Sequence, residues 1–524
     1  MKRLISILCA AALALSLAGC GAAENANGAA ADGDDSLENA VTFTFSDSGI
    51  TAQGGSGYEI DGTALTIDGA GAYVVTGSCA DGTITVKKGT TGVVLALNGL
   101  SLSSGDTAPI TCGKSSEVTI VTAEGSVNSL SDSEKNNDET YPDNEAAENA
   151  VIKCKDGAQV TLCGSGSLNI TANGKNGIKS GASTTEEGEA QLVIRELALN
   201  IDAPVNDAIN AEQTLLVESG TLTIAAGDDA IHSDLVLTIG AEGTEGPAID
   251  ITGCYEGLEA AELKVCSGDI RIVSTDDCMN AANSDLRGYD FTMEISGGTV
   301  TAYSSGGDGF DSNGSLTISG GSVAVWTANT ADNQPLDADG SITISGGTVL
   351  AAGGSSGMGM DLTAEQPCVI FGGSGGFGGG QSGAAITKEG AVTIADGGGS
   401  AVYSGSAVCD ARFLLFSSDG LTAEESYTLQ CGESEQTAQA QSGTVSSGFG
   451  PGGMGGGQGG MMPPDGGQQP PQMPDGQQPP GRPDGQRPLR ALFCVSRKAK
   501  CFFDRMGEVC RRRGNCKGAA DLVY

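Results

Sequence analysis

From about Val41 the chain alternates apolar and polar residues in runs of four to six, punctuated by Gly, Asn and Asp. Val41-Thr-Phe-Thr-Phe45 and Thr83-Ile-Thr-Val86 are examples. A period of two is the mark of strands that bury one face, and helical periodicity is almost absent. An internal repeat organises the strands. Asn176-Gly-Ile-Lys179, Asp207-Ala-Ile-Asn210, Asp229-Ala-Ile-His232 and Glu256-Gly-Leu-Glu259 align with one another. They also align with Asp277-Cys-Met-Asn280, Asp308-Gly-Phe-Asp311, Gln334-Pro-Leu-Asp337 and Met358-Gly-Met-Asp361. Each copy places a large apolar residue (Ile178, Ile209, Ile231, Leu258, Met279, Phe310, Leu336, Met360) one turn after the last. Between the later copies lies a strand text, clearest in Met293-Glu-Ile-Ser-Gly-Gly-Thr-Val300, Leu316-Thr-Ile-Ser-Gly-Gly-Ser-Val323 and Ile342-Thr-Ile-Ser-Gly-Gly-Thr-Val349.

A unit of roughly 20 to 30 residues cannot bury its own apolar face, whereas stacked units bury a continuous core. The expected fold is therefore all-β, a right-handed parallel β-helix, with disordered termini. A propeller blade needs about 40 to 50 residues and a leucine-rich repeat needs its Leu/Asn consensus, so neither fits. Residues 124–149 are acidic and poor in strand formers and read as a loop excursion; Phe371 to Gln381 reads as a Gly-rich loop.

Stacking turns the repeat into a column of acids. Asp207, Asp229, Glu256, Asp277 and Asp308 stand two residues before the apolar anchors, and Glu259, Asp311, Asp337 and Asp361 just after them. Like charges a few Å apart repel by about 1 kcal/mol or more per pair. A bound hard cation removes that cost, and calcium, which takes roughly six to eight oxygen ligands, is the expected cofactor. Asp207, Asp229, Asp277, Asp308 and Asp311 are the metal candidates. The competing account is turn chemistry, in which Asp and Asn accept backbone N–H bonds.

Aromatics are only 4% of the chain, so their placement matters. If Val300 and Ala302 point inward, alternation turns Tyr303 outward, and the same logic turns Trp326 outward. The two are the carbohydrate-binding candidates, as a flat platform for sugar rings. Against the pattern stand Gln334 and Met358, which cannot replace carboxylates.

Composition narrows the class. The 524 residues include 83 Gly and carry a net charge of −38, which suits short strands and tight turns and argues against nucleic acid as a partner. The single histidine, His232, and the lack of tight Cys pairs leave a zinc site or a Ser-His-Asp triad poorly supported. Cys254, Cys266 and Cys278, spaced by twelve, are open to a disulfide or to buried free thiols.

The ends carry a different message. A basic head, a short apolar run and Leu17-Ala18-Gly19-Cys20 form a secretory signal of lipoprotein type, with Cys20 as the lipid attachment point. The chain then divides into a signal peptide (1–20), a flexible tether (21–44), the β-helix (45–445) and a Gly/Pro/Gln-rich linker (446–487). A basic, Cys-containing tail of uncertain origin (488–524) completes it.

The Asp-Ala-Ile turns and Thr-Ile-Ser-Gly-Gly-Thr-Val strands, with Leu95-Ala-Leu-Asn-Gly-Leu-Ser-Leu102, Gly164-Ser-Gly-Ser-Leu-Asn-Ile170 and the Gly-rich segment near Gly372, resemble a known family. This is a bacterial carbohydrate-binding β-helix family of the cellulose- and acid-sugar-binding type. The resemblance implies a pectate-lyase-like fold that binds calcium and polysaccharide, with no catalysis implied. Together these readings predict an exported, lipid-anchored, non-catalytic binder of acidic or plant cell-wall glycans at the cell surface. A structural or adhesive protein with protein partners is the alternative. A calcium-dependent lyase, with Lys179, Arg195, Arg271 or Arg287 as base, comes third.

Overall fold

A computed structural model describes residues 40–446, apart from 184–189, 329–332, 355–360 and 373–383. Cys20, most of the tether, nearly all of the linker, the basic tail and Met358 to Met360 of the last repeat copy lie outside the described residues. Among the described residues every regular element is a strand.

The strands form three long parallel ladders, which the chain visits in turn. Asn176–Ser180, Gln191–Ile194 and Ala198–Ala203 are followed by their respective partners Ile209–Ala211, Thr214–Val217 and Thr221–Ala226. The first ladder is built on the apolar anchors. Leu65, Ile84, Ile110, Ile152, Ile178, Ile209, Ile231, Leu258, Met279, Phe310 and Leu336 succeed one another in register, and all are buried in one continuous core. Burying each such side chain contributes about 1.5–3 kcal/mol. The row thus begins earlier than the aligned motif: Leu65, Ile84, Ile110 and Ile152 hold anchor positions without its text.

The Ser-Gly-Gly text has a specific cause. Gly298, Gly321 and Gly347 all adopt φ near +79° and stack on one another. A Cβ on Gly321 would meet the Gly298 carbonyl oxygen at 2.6 Å, and one on Gly347 would meet that of Gly321 at 2.7 Å. Only glycine combines a left-handed backbone with so close an approach.

Parallel pairing does not extend over the whole of residues 45–445. At the N-terminal end Val41–Ser46 and Gly49–Gln53 pair antiparallel, so a strand occupies residues 41–44 of the expected tether. At the other end Phe413–Ser417 pairs antiparallel with Thr348–Gly353 and with Asp361–Gly372. Ala391–Ala395, Ala401–Ser406, Ser426–Cys431 and Ser434–Gln439 then form a separate antiparallel sheet. A stack of parallel strands ends on unpaired backbone groups, and antiparallel strands satisfy them there.

Two loop expectations change. Val127–Ser131 is a strand within the expected excursion, and residues 133–149 form the loop proper. The buried Asn136 organises that loop: its amide donates to Ala150 O at 2.9 Å and accepts from Glu148 N and Asn149 N. Phe371 belongs to a strand and is buried, leaving residues 373–381 of that expected loop outside the described residues. Cys254, Cys266 and Cys278 are free thiols.

Candidate functional site

Strand alternation places the residue after each anchor on the outer side of the first ladder. In register these residues are Thr66, Thr85, Thr111, Lys153, Lys179, Asn210, His232, Glu259, Asn280 and Asp311. The row thus runs from hydroxyls through two lysines and the histidine to acids. The acids two residues before the anchors line its edge.

The acidic column forms, and much of it is engaged in turn chemistry. Asp207 Oδ1 accepts the Asp229 N–H at 3.2 Å, Asp277 Oδ1 accepts the Asp308 N–H at 2.6 Å, and Asp308 Oδ1 accepts the Gln334 N–H at 2.5 Å. Each carboxylate therefore satisfies the backbone one turn ahead. Burial nonetheless disfavours their charged forms. It pushes Asp277 up to about 7, and Asp308 and Asp311 up to about 6, with neighbouring aspartates adding to the effect.

The column splits into two chemically distinct halves. In one, carboxylate oxygens of Asp308, Asp311 and Asp337 lie within 4.8 Å of one another. The charges that bear most on this half are other aspartates, and among the described residues none of the three has a salt-bridge partner. Two buried amide oxygens in the same part of the fold, Asn280 Oδ1 and Gln334 Oε1, lack hydrogen-bond partners. An all-oxygen donor set with uncompensated charge suits a hard cation. In the other half, Asp229 and Glu259 face the imidazole of His232. Asp207 already uses both oxygens, the second on the Asn210 amide at 2.6 Å. That half fits a hard, oxygen-seeking ion poorly.

The lysines also interact. Burial and the neighbouring Lys179 hold the Lys153 amine below its ordinary value. Lys179 reaches Asn210 Oδ1 at 3.0 Å and Glu212 at 3.4 Å. Arg195, just past the strand Gln191–Ile194, and Arg271, on the strand Asp269–Ser274, stand elsewhere and face Glu218 and Asp250 respectively.

The aromatic platform is overturned. Val300 and Ala302 do point inward, and Tyr303 and Trp326 are register partners on the outer side. That side is covered, however. Trp326 is only 2% exposed, in a second core with Leu350, Phe371, Leu414 and Phe416, and Tyr303 packs against the same core. Leu414 and Phe416 come from a late strand, Phe413–Ser417, whose antiparallel return no local pattern announces. Among the described residues Tyr255 is the aromatic that does face solvent, at 46% exposure. It sits between Asp228 and Asp276, its N–H donating to Asp228 O and its carbonyl accepting from Asp276 N. Hydrogen bonding of its hydroxyl to Asp276 pushes that phenol up to about 12. Its position just before Glu256 in the repeat was the available signal.

A family model described as carbohydrate-binding domain-containing protein matches residues 61–357. A carbohydrate-binding domain-containing protein of Acetivibrio thermocellus is 31% identical over 137 residues, 26% of this chain and 46% of that protein. The match thus spans about half the length of that curated relative. A solved structure of a polysaccharide lyase-like protein from C. thermocellum, a gadolinium derivative, aligns over 53% of this chain and 96% of that one. The identity is 23% and the TM-score 0.37.

Proposed function

The chain belongs to the carbohydrate-binding domain-containing protein family, and from that premise we propose that its body binds acidic polysaccharide along the column of turns, assisted by calcium. The observation that carries the reading is the coincidence of two stretches. The family match, residues 61–357, covers almost the whole run of parallel ladders, and the outer row from Lys153 to Asp311 lies within it.

The ladders support a parallel β-helix for the body, and the strong preference for right-handed parallel crossovers supports its hand. The exposed ring of Tyr255 offers a flat apolar surface for the C–H face of a sugar ring. Lys153 and Lys179 offer positive charge to uronate carboxylates. Calcium at Asp308, Asp311 and Asp337 would neutralise the acidic end and supply open coordination positions to sugar oxygens. An extended chain laid along the row would meet cationic, aromatic and metal-bearing stations in succession. The Leu17-Ala18-Gly19-Cys20 motif supports lipid attachment at Cys20 and display at the cell surface.

The test is capture of the full chain by insoluble polygalacturonate and by cellulose, with calcium or with chelator. Retention on polygalacturonate that calcium strengthens supports the proposal. No retention on either material would remove it. Release of unsaturated sugar ends would instead support the lyase reading, with Lys179 as the residue to substitute.

A further inference from the structure

We propose that Asp229, His232 and Glu259 form a site for one divalent first-row transition-metal ion, with Asp234 fixing the imidazole from its far side. His232 Nδ1 lies 3.1 Å from Asp229 Oδ2 and 2.5 Å from Glu259 Oε2. Nε2 lies 3.0 Å from Asp234 Oδ1. One proton on Nδ1 cannot point along both directions, because a hydrogen bond weakens steeply as it bends. A metal ion with bonds of about 2.0–2.2 Å to nitrogen and carboxylate oxygen serves all three atoms at once. The three donor atoms lie within 4.8 Å of one another, as a shared ion requires.

Charge and donor type select the class of ion. Three carboxylates surround the one imidazole, and Asp207 and Asp228 gather at the same Asp229. A protonated ring supplies a single positive charge against them; a divalent ion supplies two. The nitrogen donor disfavours calcium and magnesium, whereas imidazole with carboxylate suits zinc, manganese or iron. The Asp234 contact is the arrangement that orients a metal-bound histidine, a carboxylate holding the ring nitrogen that does not bind the metal. His232 and Glu259 are register partners on adjacent strands, so the ion would clamp one turn of the stack to the next. On binding, the ion takes the place of the Nδ1 proton, which leaves to solvent. Nothing is oxidised or reduced. The site is separate in residues and in donor chemistry from the calcium group at Asp308, and it does not depend on the glycan reading.

The chain has one histidine, so its ring can be observed without ambiguity. The full chain, labelled with 15N-histidine and carrying no histidine tag, is titrated with zinc. The expected result is a ring that loses its Nδ1 proton and keeps Nε2–H, saturating at one equivalent. Zinc held by the cysteines leaves this readout untouched. D234N is expected to weaken zinc binding about 10- to 100-fold, and H232Q to abolish the rise in melting temperature that zinc produces. A ring that remains doubly protonated at saturating zinc overturns the proposal. So does displacement of zinc from the ring by equimolar calcium. Should H232Q fail to fold, the spectrum of the unaltered chain decides. Polysaccharide capture is measured on the same samples, and its failure beside an intact ring response would count against the glycan reading alone.

Discussion

Tyr303 and Trp326 are register partners on adjacent parallel strands, and both rings pack on the second apolar core. Trp326 is the only tryptophan of the chain, so its fluorescence reports this burial directly. Its emission should be blue-shifted, resist quenching by acrylamide, and stay unchanged when polysaccharide is added. W326A should cost about 3–5 kcal/mol of stability, measured by denaturant unfolding. Ready quenching, or an emission shift with glycan, would restore the platform.

The group at Asp308, Asp311 and Asp337 should make stability depend on both calcium and pH. An unfolded aspartate titrates near 3.9, whereas Asp308 and Asp311 titrate near 6 in the fold. Between these values the folded chain holds more protons than the unfolded one. In chelator, the melting temperature contributed by this pair should therefore fall as pH rises from about 4 to about 6, then level off. Calcium should reverse the trend at neutral pH. D311N should raise stability without calcium by about 1 kcal/mol, from relieved repulsion, and lose the calcium response. A calcium response that survives D308N/D311N/D337N would place the ion elsewhere.

Tyr255 is expected to carry the apolar part of glycan binding. Y255A should weaken polysaccharide capture about tenfold, a change of about 1.4 kcal/mol, while melting unaltered, because the ring is exposed. Affinity electrophoresis measures the first and calorimetry the second. Unchanged mobility would remove the ring from the site.

Lys153 and Lys179 should distinguish acidic from neutral glycans. K153M/K179M should weaken retention on polygalacturonate and leave retention on cellulose, if any, unchanged. Equal losses on both would argue for a structural effect of the row.

G321A tests the glycine stack. The left-handed backbone at φ +79° and the approach to Gly298 O should together cost about 1–3 kcal/mol. A neutral outcome in thermal unfolding would show that the strand ends relax freely.

Local text therefore determined a good deal of this protein. The period of two made the strands, and the recurrence of Ile178, Ile209, Ile231, Leu258, Met279 and Phe310 specified parallel stacking in register, because only stacking buries them. The acidic column followed from the same alignment. Tertiary structure decided the rest. It placed His232 against Glu259, a pairing 27 residues apart that depends on the length of each intervening circuit. It covered Trp326 with Leu414 and Phe416, some 90 residues later in the chain, by an antiparallel return that no repeat encodes. Alternation tells which side of a strand a residue faces. What lies over that side is set by long-range packing, and there the reading of the platform failed while the reading of the core held.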